Sequence, residues 1–433
     1  MDIERRHRVK RVLIAAENAS TRQGGEAILP YHLMRLLRQR GVDTHLVVHE
    51  RCRADLEELL PEELDRIHFV RDMWLQKLLF RLGQLVPRRV GEATFGLATT
   101  LLTQWAQRKI LRALAVEGTV VHQPIPVAPR FPSLLFGLDV PVVMGPLNGG
   151  MEYPPAFRRQ ESLASRVFIG LARLLTDVVN ALLPGKRRAA VVLVANQRTR
   201  QALPSGLRGR VLELVENGVD TTVWGHVRSN GGRDDAGRFV FIGRLVDWKA
   251  LDLVLEALKS VPDATLDVIG DGSMLASWRA YAETSGVGVR VRFCGWLPQP
   301  ECAEYLRDCC ALVLPSLYEC GGAVVLEAMA MARPVIATAW GGPLDYLDKS
   351  CGILVPPASR EVLISGFADA MRRLMSSPEL CARMGAAGRE RLLRDFDWNR
   401  KIDRMLEIYD SVLADSKPVH AVSPQESLKG NGS

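Results

Sequence analysis

Short apolar runs alternate with amphipathic stretches from the beginning of the chain. RVLIAAE, at residues 11–17, is an apolar run, and a glycine-containing loop leads from it to AILPYHLMRLLRQRG. The apolar positions of that stretch recur at helical spacing up to Gly41, and THLVVHE follows as the next apolar run. Strands of parallel sheets are continuous apolar runs because both of their faces are buried. The order strand, loop, helix, strand therefore predicts the opening of a doubly wound α/β domain.

The same alternation forms two series, which are separated by a polar and glycine-rich segment at residues 226–238. Before that segment, further strands are predicted at residues 119–123, 141–145 and 190–196. After it, strands are predicted in RFVFIGRL, ATLDVIGDG, RVRFCGWL, CALVLPS and PVIAT, with helices between them. Two such series predict two Rossmann-like domains that face each other across a cleft, with ligands outside the carboxyl ends of the strands.

Composition describes an ordinary globular protein of 433 residues, with 47% hydrophobic and 24% charged residues and a formal charge of +7. That charge fits an anionic substrate or a membrane surface, and composition alone does not separate these from nucleic acid. The eight cysteines form no CxxC pair and no zinc-type Cys/His set, so buried free thiols such as Cys309 and Cys310 are expected, in a reducing compartment. The charged N-terminus argues against a secretory signal, and no apolar run reaches the roughly 18 residues of a spanning helix.

The segment PSLYECGGAVVLEAMA places two carboxylates around a turn of small residues. The glycines favour a loop position for Glu319 and a place inside the following helix for Glu327. The backbone N–H groups of residues 322–324 would then begin that helix and point at a bound anion. A carboxylate on each side of an anion site suits a sugar nucleotide, which has phosphates in its middle and hydroxyls at both ends. The alternative is that both glutamates are solvated acids on a helix surface.

This segment resembles the E-x7-E motif of the retaining glycosyltransferases of family 4, which have the GT-B fold. The resemblance implies that Glu319 binds hydroxyls of the transferred sugar and that Glu327 binds the ribose hydroxyls. It also implies donor contacts for the turn formed by Gly321, Gly322 and Ala323. Many members have a glycine and then an aromatic residue after the first glutamate, where this chain has Cys-Gly. That departure leaves open which sugar the pocket accepts.

The segment GRLVDWKAL follows the first predicted strand of the second series and resembles the G-R-L-x-x-x-K pattern of the same family. It provides two cations, Arg244 and Lys249, just beyond the end of the strand. The resemblance implies that both bind the donor diphosphate, because a departing diphosphate needs its negative charge neutralised. The alternative is a pair of surface cations, which the neighbouring E-x7-E match argues against.

Further positions are assigned through the resemblance. Gly25, in the Gly24-Gly25 turn, corresponds to the glycine loop in the first domain of family 4 enzymes. Its backbone is predicted to approach a phosphate or the acceptor. The alternative is that the two glycines only form a tight turn. His122, at the end of a first-domain strand, is predicted to lie near the transferred sugar, and a packed or surface histidine is the alternative. Asn217 in ENGVD is predicted to lie at the hinge near the cleft, and the backbone around Leu297 is predicted to contact the base.

Two further features lie in the first series. Asn148, in GPLNGG after a predicted strand, either shapes the acceptor side of the cleft or belongs to a structural loop. Lys186, Arg187 and Arg188 form a basic cluster that is predicted to be solvated.

Two stretches mix cations with apolar and aromatic residues. Residues 71–115 contain RDMWLQKLLFRLG and LLTQWAQRKILRA, and residues 164–188 repeat the pattern. A basic helix with an aromatic and apolar face is able to lie in a membrane interface, where each nearby cation contributes roughly 1 kcal/mol of attraction to anionic lipid. The alternative is that these helices pack on their own domain.

The resemblance and the two series predict an α/β protein of GT-B architecture. Residues 1–215 form the acceptor-side domain and residues 216–397 the donor domain. Residues 398–415 form a helix that returns to the first domain, and residues 416–433 form a disordered tail because they lack apolar periodicity.

The predicted activity is transfer of a sugar, with retention at the anomeric carbon, from a UDP- or GDP-sugar to a glycan acceptor that is lipid-linked. Exopolysaccharide or cell-envelope glycan assembly is the expected process, in the cytoplasm and at the inner face of the membrane. Glu319, Arg244, Lys249 and His122 are the expected catalytic residues. The resemblance implies front-face attack without a covalent enzyme nucleophile, and no metal, other cofactor or nucleic-acid partner is expected. The alternatives are a non-catalytic sugar-nucleotide scaffold and an epimerase or phosphorylase of the same fold.

Overall fold

The computed structural model describes residues 7–21, 25–84, 92–158, 176–225 and 237–415. The predicted disordered tail, Gly24, most of the polar segment between the two series and parts of both basic amphipathic stretches lie outside these residues.

Seven parallel strands form the first sheet, in the order β3-β2-β1-β4-β5-β6-β7. In chain order the strands are β1 (Arg11–Ala15), β2 (Asp43–His49), β3 (Ile67–Val70), β4 (Thr119–Gln123), β5 (Val142–Leu147), β6 (Val191–Val194) and β7 (Arg210–Glu213).

Six parallel strands form the second sheet, in the order β10-β9-β8-β11-β12-β13. They are β8 (Arg238–Ile242), β9 (Thr265–Ile269), β10 (Val291–Gly295), β11 (Ala311–Leu314), β12 (Val335–Thr338) and β13 (Gly352–Val355). The strand order reverses between β1 and β4 in the first sheet and between β8 and β11 in the second. A crevice opens at the carboxyl ends of the strands at such a switch point, and ligands bind there.

Helices connect the strands in both halves of the chain. Those of the first half are α1 (Ile28–Gln39), α2 (Arg53–Leu59), α3 (Trp74–Gly83), α4 (Leu97–Leu114), α5 (Gly185–Arg188) and α6 (Gln197–Gln201), with a further helical stretch at 176–182. Those of the second half are α7 (Leu251–Leu258), α8 (Leu275–Thr284), α9 (Gln299–Arg307), α10 (Ala323–Ala330), α11 (Pro343–Tyr346), α12 (Arg360–Met375), α13 (Pro378–Asp395) and α14 (Trp398–Asp415).

Both faces of the first sheet are buried, as its apolar runs predict. Successive side chains of a strand point to opposite faces. In β1, Val12 and Ile14 therefore belong to one apolar cluster, and Leu13 and Ala15 belong to another. The helix that follows ends as predicted at Gly41, which has φ = +75° and donates its N–H to the Arg38 carbonyl at 2.9 Å.

Helix α14 returns to the first domain and confirms that prediction. Its buried side chains join the apolar cluster on the α1 side of the first sheet: Trp398, Ile402, Met405, Leu406, Ile408, Tyr409 and Val412. Next to the hinge the outgoing and returning segments run side by side. The Val219 N–H donates to the Phe396 carbonyl at 3.1 Å, and the Trp398 N–H donates to the Val219 carbonyl at 3.3 Å.

The basic cluster of the first domain is only partly solvated. Arg188 is exposed, but Lys186 is 3% exposed, so the prediction was wrong for that residue. Lys186 Nζ donates to the carbonyls of Ala128 at 3.2 Å and Pro129 at 2.7 Å, and burial lowers the pKa of its ammonium to about 7. Lys186 thus satisfies two buried carbonyls rather than a ligand. The eight cysteines are free, and Cys309 and Cys310 are buried, as predicted.

Candidate active site

The loop after β11 and the start of α10 carry the two predicted carboxylates. Glu319 lies in the loop and Glu327 lies inside the helix, as the glycines between them predict. Gly322 precedes the helix with φ = +80°, a left-handed conformation that favours glycine. The N–H groups of Ala323 and Val324 lie in the first turn, where a helix supplies no carbonyl acceptor. This end of the helix therefore carries the polarity and the donors that an anion requires.

Lys249 and Glu319 form an ion pair between Nζ and Oε2, and each side chain is 13% exposed. The two residues meet because β8 and β11 are neighbours in the sheet, and each residue lies in the loop that follows one of them. The Leu317 N–H donates to the Trp248 carbonyl at 2.9 Å, which joins the two loops. A Cβ added at Gly322 would lie 3.1 Å from Glu319 Cγ, so the ion pair adjoins the start of α10.

A turn after β12 packs against the same loop without side chains between the two backbones. The Gly342 N–H donates to the Glu319 carbonyl at 2.7 Å. A Cβ on Gly342 would lie 2.6 Å from the Gly321 carbonyl carbon, closer than real Cβ atoms approach. Glycine at residue 342 thus permits the contact that holds the Glu319 loop in place.

Arg244 differs from Lys249 in its surroundings. It is exposed, and in the described part of the chain no hydrogen bond or ion pair engages its guanidinium. It follows Gly243 at the carboxyl end of β8, on the edge of the sheet that also carries Lys249. Its five N–H donors are available to an anion in the crevice.

Glu327 is a partly exposed carboxyl in α10 to which no described residue donates a hydrogen bond. Burial raises the pKa of this carboxyl to about 7. An under-satisfied carboxyl at a sheet switch point can accept hydrogen bonds from ligand hydroxyls, as the ribose assignment requires.

Residues 225–391, which contain these four side chains, match the family model described as glycosyl transferases group 1. Over these residues the chain is similar to the glycosyl transferases group 1 family. The alpha-maltose-1-phosphate synthase of Mycolicibacterium smegmatis is 32% identical over 249 residues, covering 49% of this chain and 63% of that protein. The lipopolysaccharide core biosynthesis glycosyltransferase LpsE of Rhizobium meliloti is 30% identical over 178 residues, covering 41% of this chain and 51% of that protein. The chain thus spans about half to two thirds of the length of these relatives.

Solved structures show the same fold over most of the chain. Anabaena HepE in complex with UDP has a TM-score of 0.64 at 15% identity, and the match covers 93% of this chain and 100% of that one. Sucrose-phosphate synthase from Thermosynechococcus elongatus has a TM-score of 0.60 at 17% identity, covering 94% and 100%. At these identities the likeness is one of fold, and it confirms the predicted GT-B architecture.

Leu297 and Asn217 are two further residues for which the resemblance predicts donor contacts. Leu297 is half-buried and follows β10, next to Trp296, whose side chain is 71% exposed. Asn217 Nδ2 donates to Glu216 Oε1 at 3.1 Å and to the Tyr346 hydroxyl at 3.0 Å. The amide of Asn217 is thus engaged with protein atoms. The base contact near Leu297 and the donor contact of Asn217 stay predictions.

Gly25 opens a short 3-10 turn before α1, after the loop that follows β1. It is exposed, has φ = +57°, and a Cβ there would meet no atom within 4 Å. The Val127 N–H donates to the neighbouring Glu26 carboxylate at 2.7 Å, which joins this turn to the loop after β4. The backbone at Gly25 is open to a ligand, and its contact with phosphate or acceptor stays a prediction.

His122 lies at the end of β4, but it is fully buried and both ring nitrogens have protein partners. A carbonyl can only accept, so Nε2 carries the proton and donates to the Gly145 carbonyl at 2.6 Å. The Tyr409 hydroxyl then donates to Nδ1 at 2.7 Å. Burial lowers the pKa of the imidazole to about 4. The structure therefore does not bring His122 to Lys249 and Glu319. Its surroundings are those of a packed histidine, which was the alternative interpretation. The contact between His122 and the transferred sugar stays a prediction.

Replacing Tyr409 by phenylalanine is expected to lower the free energy of unfolding by about 1–3 kcal/mol, because a buried nitrogen of His122 would lose its partner. Urea unfolding of the purified chain measures the change. Tyr281→Phe is the matched control, since its hydroxyl donates to Glu256 near the surface, and a change within about 0.5 kcal/mol is expected there. Equal losses in both variants would contradict a special contribution of the His122 contact.

The motif patterns did not predict three residues that surround the hinge. Glu216 is 6% exposed, Lys401 is 6% exposed and Tyr346 is 1% exposed. Lys401 Nζ donates to the carbonyls of Glu216, at 2.9 Å, and Asn217, and it lies 4.5 Å from the ring centroid of Trp398. Burial lowers the pKa of the Lys401 ammonium to about 7. In the sequence, the position of Glu216 next to Asn217 in ENGVD was the one indication that any of the three residues lies near the hinge.

Proposed function

We propose that this protein transfers a sugar from a UDP- or GDP-sugar to a hydroxyl of a glycan acceptor in polysaccharide or cell-envelope glycan assembly. The observation that carries the proposal is the Lys249–Glu319 ion pair beside the start of α10, at the switch point of the second sheet. A largely shielded ammonium and open helix N–H groups suit a diphosphate. Glu319 and Glu327 lie on either side of that helix start and suit the sugar and ribose hydroxyls.

The reaction needs no covalent enzyme intermediate in this arrangement. The bond between the anomeric carbon and the diphosphate oxygen breaks while the acceptor oxygen bonds to the same face, so configuration is retained. The acceptor proton passes to the departing phosphate oxygen. Lys249 and Arg244 stabilise the charge that develops on the diphosphate, which is the largest single electrostatic demand of the step. We propose that these cations and the helix start do so without a metal ion.

The names of similar proteins support the choice of donor and acceptor. LpsE is named for lipopolysaccharide core biosynthesis, and the HepE crystal contains UDP.

A thermal-unfolding panel tests the proposal. UDP, GDP and their sugars are compared with the corresponding nucleoside monophosphates, first with a metal chelator and then with magnesium. One nucleoside diphosphate is expected to raise the unfolding temperature without magnesium, because binding to the folded state alone stabilises it. A flat panel would contradict the donor site. Release of free sugar or sugar phosphate with an acceptor present would favour hydrolysis, epimerase-type or phosphorylase chemistry instead.

We further propose that the first domain contacts an anionic membrane surface through α3 and α4. Trp74, Leu78 and Leu82 repeat at four-residue spacing along α3 and are 75%, 43% and 38% exposed. Trp105 of α4 is 63% exposed. Exposed cations accompany these residues: Arg71, Lys77, Arg81, Lys109 and Arg112. An interfacial helix has this combination of aromatic, apolar and basic residues.

The buried residues of α4 are mostly polar, and among its large apolar side chains Trp105 is exposed. Gln107 Nε2 donates to the carbonyls of Ala16 at 2.8 Å and Val47 at 3.0 Å. The Leu134 N–H donates to Gln104 Oε1 at 2.8 Å. No helix in the described ranges has the length and hydropathy to cross a bilayer.

Co-sedimentation with vesicles tests this contact. The chain is expected to bind phosphatidylglycerol vesicles and not phosphatidylcholine vesicles, and binding is expected to weaken with salt. The double variant Trp74→Ser and Trp105→Ser should bind at least about tenfold more weakly, since two interfacial aromatic side chains are removed. Trp296→Ser is the matched control, because that side chain is 71% exposed on the other domain. Equal binding by all three proteins would contradict the proposed surface.

A further inference from the structure

A buried polar network joins the two domains next to the hinge. Asn148, in the first-domain loop after β5, donates from Nδ2 to Glu216 Oε1 and to the Cys320 carbonyl at 3.0 Å. Asn217 donates from its own amide to the same oxygen of Glu216 at 3.1 Å. One carboxylate oxygen thus accepts from the first domain and from the hinge. Asn148 also contacts the residue that directly follows Glu319.

Glu216 lies directly against the donor loop. A Cβ added at Gly321 would lie 2.5 Å from Glu216 Oε1 and would collide with the Asn217 amide. Gly321 therefore leaves the space that the Glu216 carboxylate fills. A side chain larger than that of glycine at residue 321 and the Glu216 carboxylate could not share this space.

The second oxygen of this carboxylate is unusual for a buried group. Glu216 Oε2 is buried and has no hydrogen-bond partner among the described residues. The charged groups that face it are the Lys401 ammonium, which donates to the Glu216 backbone carbonyl, and the Asp345 carboxylate. Burial raises the pKa of the Glu216 carboxyl. An under-satisfied buried carboxyl is costly for stability, which points to a role in function for Glu216.

We propose that Glu216 is a positioning residue for sugar transfer. By accepting from Asn148 and Asn217 while it contacts Gly321, it fixes the first-domain loop against the loop that carries Glu319. Acceptor and donor loops then keep one relative arrangement during transfer. This inference rests on the proposed function.

Glu216→Ala is expected to lower the rate of nucleoside diphosphate release from the donor sugar by about 10- to 100-fold, because small misplacements of reacting groups have effects of that size. The Kd for the nucleoside diphosphate itself, measured by calorimetry, should change less than about twofold, since Arg244, Lys249, Glu319 and Glu327 all lie on the second domain. Glu216→Gln should recover most of the rate, because the side-chain carbonyl still accepts from both asparagines. Unfolding temperatures measured for each variant identify any that fail to fold.

Arg35→Met is the matched control. Arg35 of α1 forms an ion pair with Asp220, which lies beyond the hinge, and it contacts neither Asn148 nor the Glu319 loop, so a rate near that of the unchanged chain is expected. The double variant Asn148→Ala and Glu216→Ala should lose no more rate than the worse single variant, because both act through one contact. An unchanged rate in Glu216→Ala, or a loss equal to that of Arg35→Met, would overturn the inference. If the unchanged chain neither binds nor releases a nucleoside diphosphate, the proposed function itself fails.

Discussion

Lys249→Ala is expected to lower the rate of sugar transfer by about 10²- to 10³-fold. Removal of one preorganised electrostatic contact to a developing negative charge has effects of this size. Lys249 lies beside the start of α10, and its side chain is 13% exposed. Little solvent is therefore present to replace the positive charge that the substitution removes. The change in rate is measured as nucleoside diphosphate released per enzyme, with the donor that the unfolding panel selects.

Lys259→Ala provides the matched control for that result. Lys259 also forms an ion pair, with Glu256 at 2.8 Å, but its side chain is 40% exposed. It follows the C-terminal end of α7. A transfer rate within twofold of that of the unchanged chain is therefore expected. Arg244→Ala should slow transfer as well, because Arg244 is exposed and available to the same diphosphate. Full turnover in both Lys249→Ala and Arg244→Ala would rule out the proposed leaving-group site.

Glu327→Gln is expected to remove a pH dependence of nucleoside diphosphate binding. Burial raises the pKa of the Glu327 carboxyl from an ordinary value of 4.5 to about 7. If the ionised carboxylate accepts from the ribose hydroxyls, the affinity of the unchanged chain falls as the pH drops through about 7 and is constant well above it. Calorimetric titrations with UDP or GDP on both sides of pH 7 measure this profile.

The stability of the protein should change with pH in the opposite sense. The unfolded chain releases the Glu327 proton near pH 4.5, whereas the folded protein keeps it up to about pH 7. The contribution of Glu327 to the free energy of unfolding is therefore greatest below pH 4.5 and is lost as the pH rises through 7. Glu327→Gln should lack this loss, and Glu301→Gln, an exposed change on α9, should retain it. A binding profile that is flat in the unchanged chain would exclude the ribose role of Glu327.

The central strands of both sheets could be predicted from the sequence, and three edge strands could not. β1, β4, β5 and β6 are buried on both faces and are therefore continuous apolar runs. β3, β7 and β13 lie at sheet edges, have four residues each and include partly exposed positions. In β7 the sequence RVLE has charged residues at both ends. Such strands depend on pairing with a neighbour, which a local hydrophobic pattern does not report.

Some residues of the candidate site could likewise be predicted from the sequence, and others could not. Glu319, Lys249 and Glu327 could be predicted because each lies in a local motif whose glycines and strand ends fix its place. The network at Glu216 could not, because its partners are far along the chain: Asn148 is 68 positions away and Lys401 is 185 positions away. His122 shows the converse, since the resemblance predicted a place near the transferred sugar, and the distant Tyr409 provides a partner for its ring inside the core.

The return of α14 also determines the order in which the molecule can be completed during synthesis. The apolar cluster on the α1 side of the first sheet includes side chains from Val9 to Val412, so nearly the whole described chain separates its first and last members. The second domain, in contrast, has almost all of its buried cluster between Phe239 and Phe396. On a ribosome, the first domain therefore emerges first and yet is finished last, with one side of its core open while the second domain is made. A chain that stops before Trp398 would leave that side permanently open to water and to other chains.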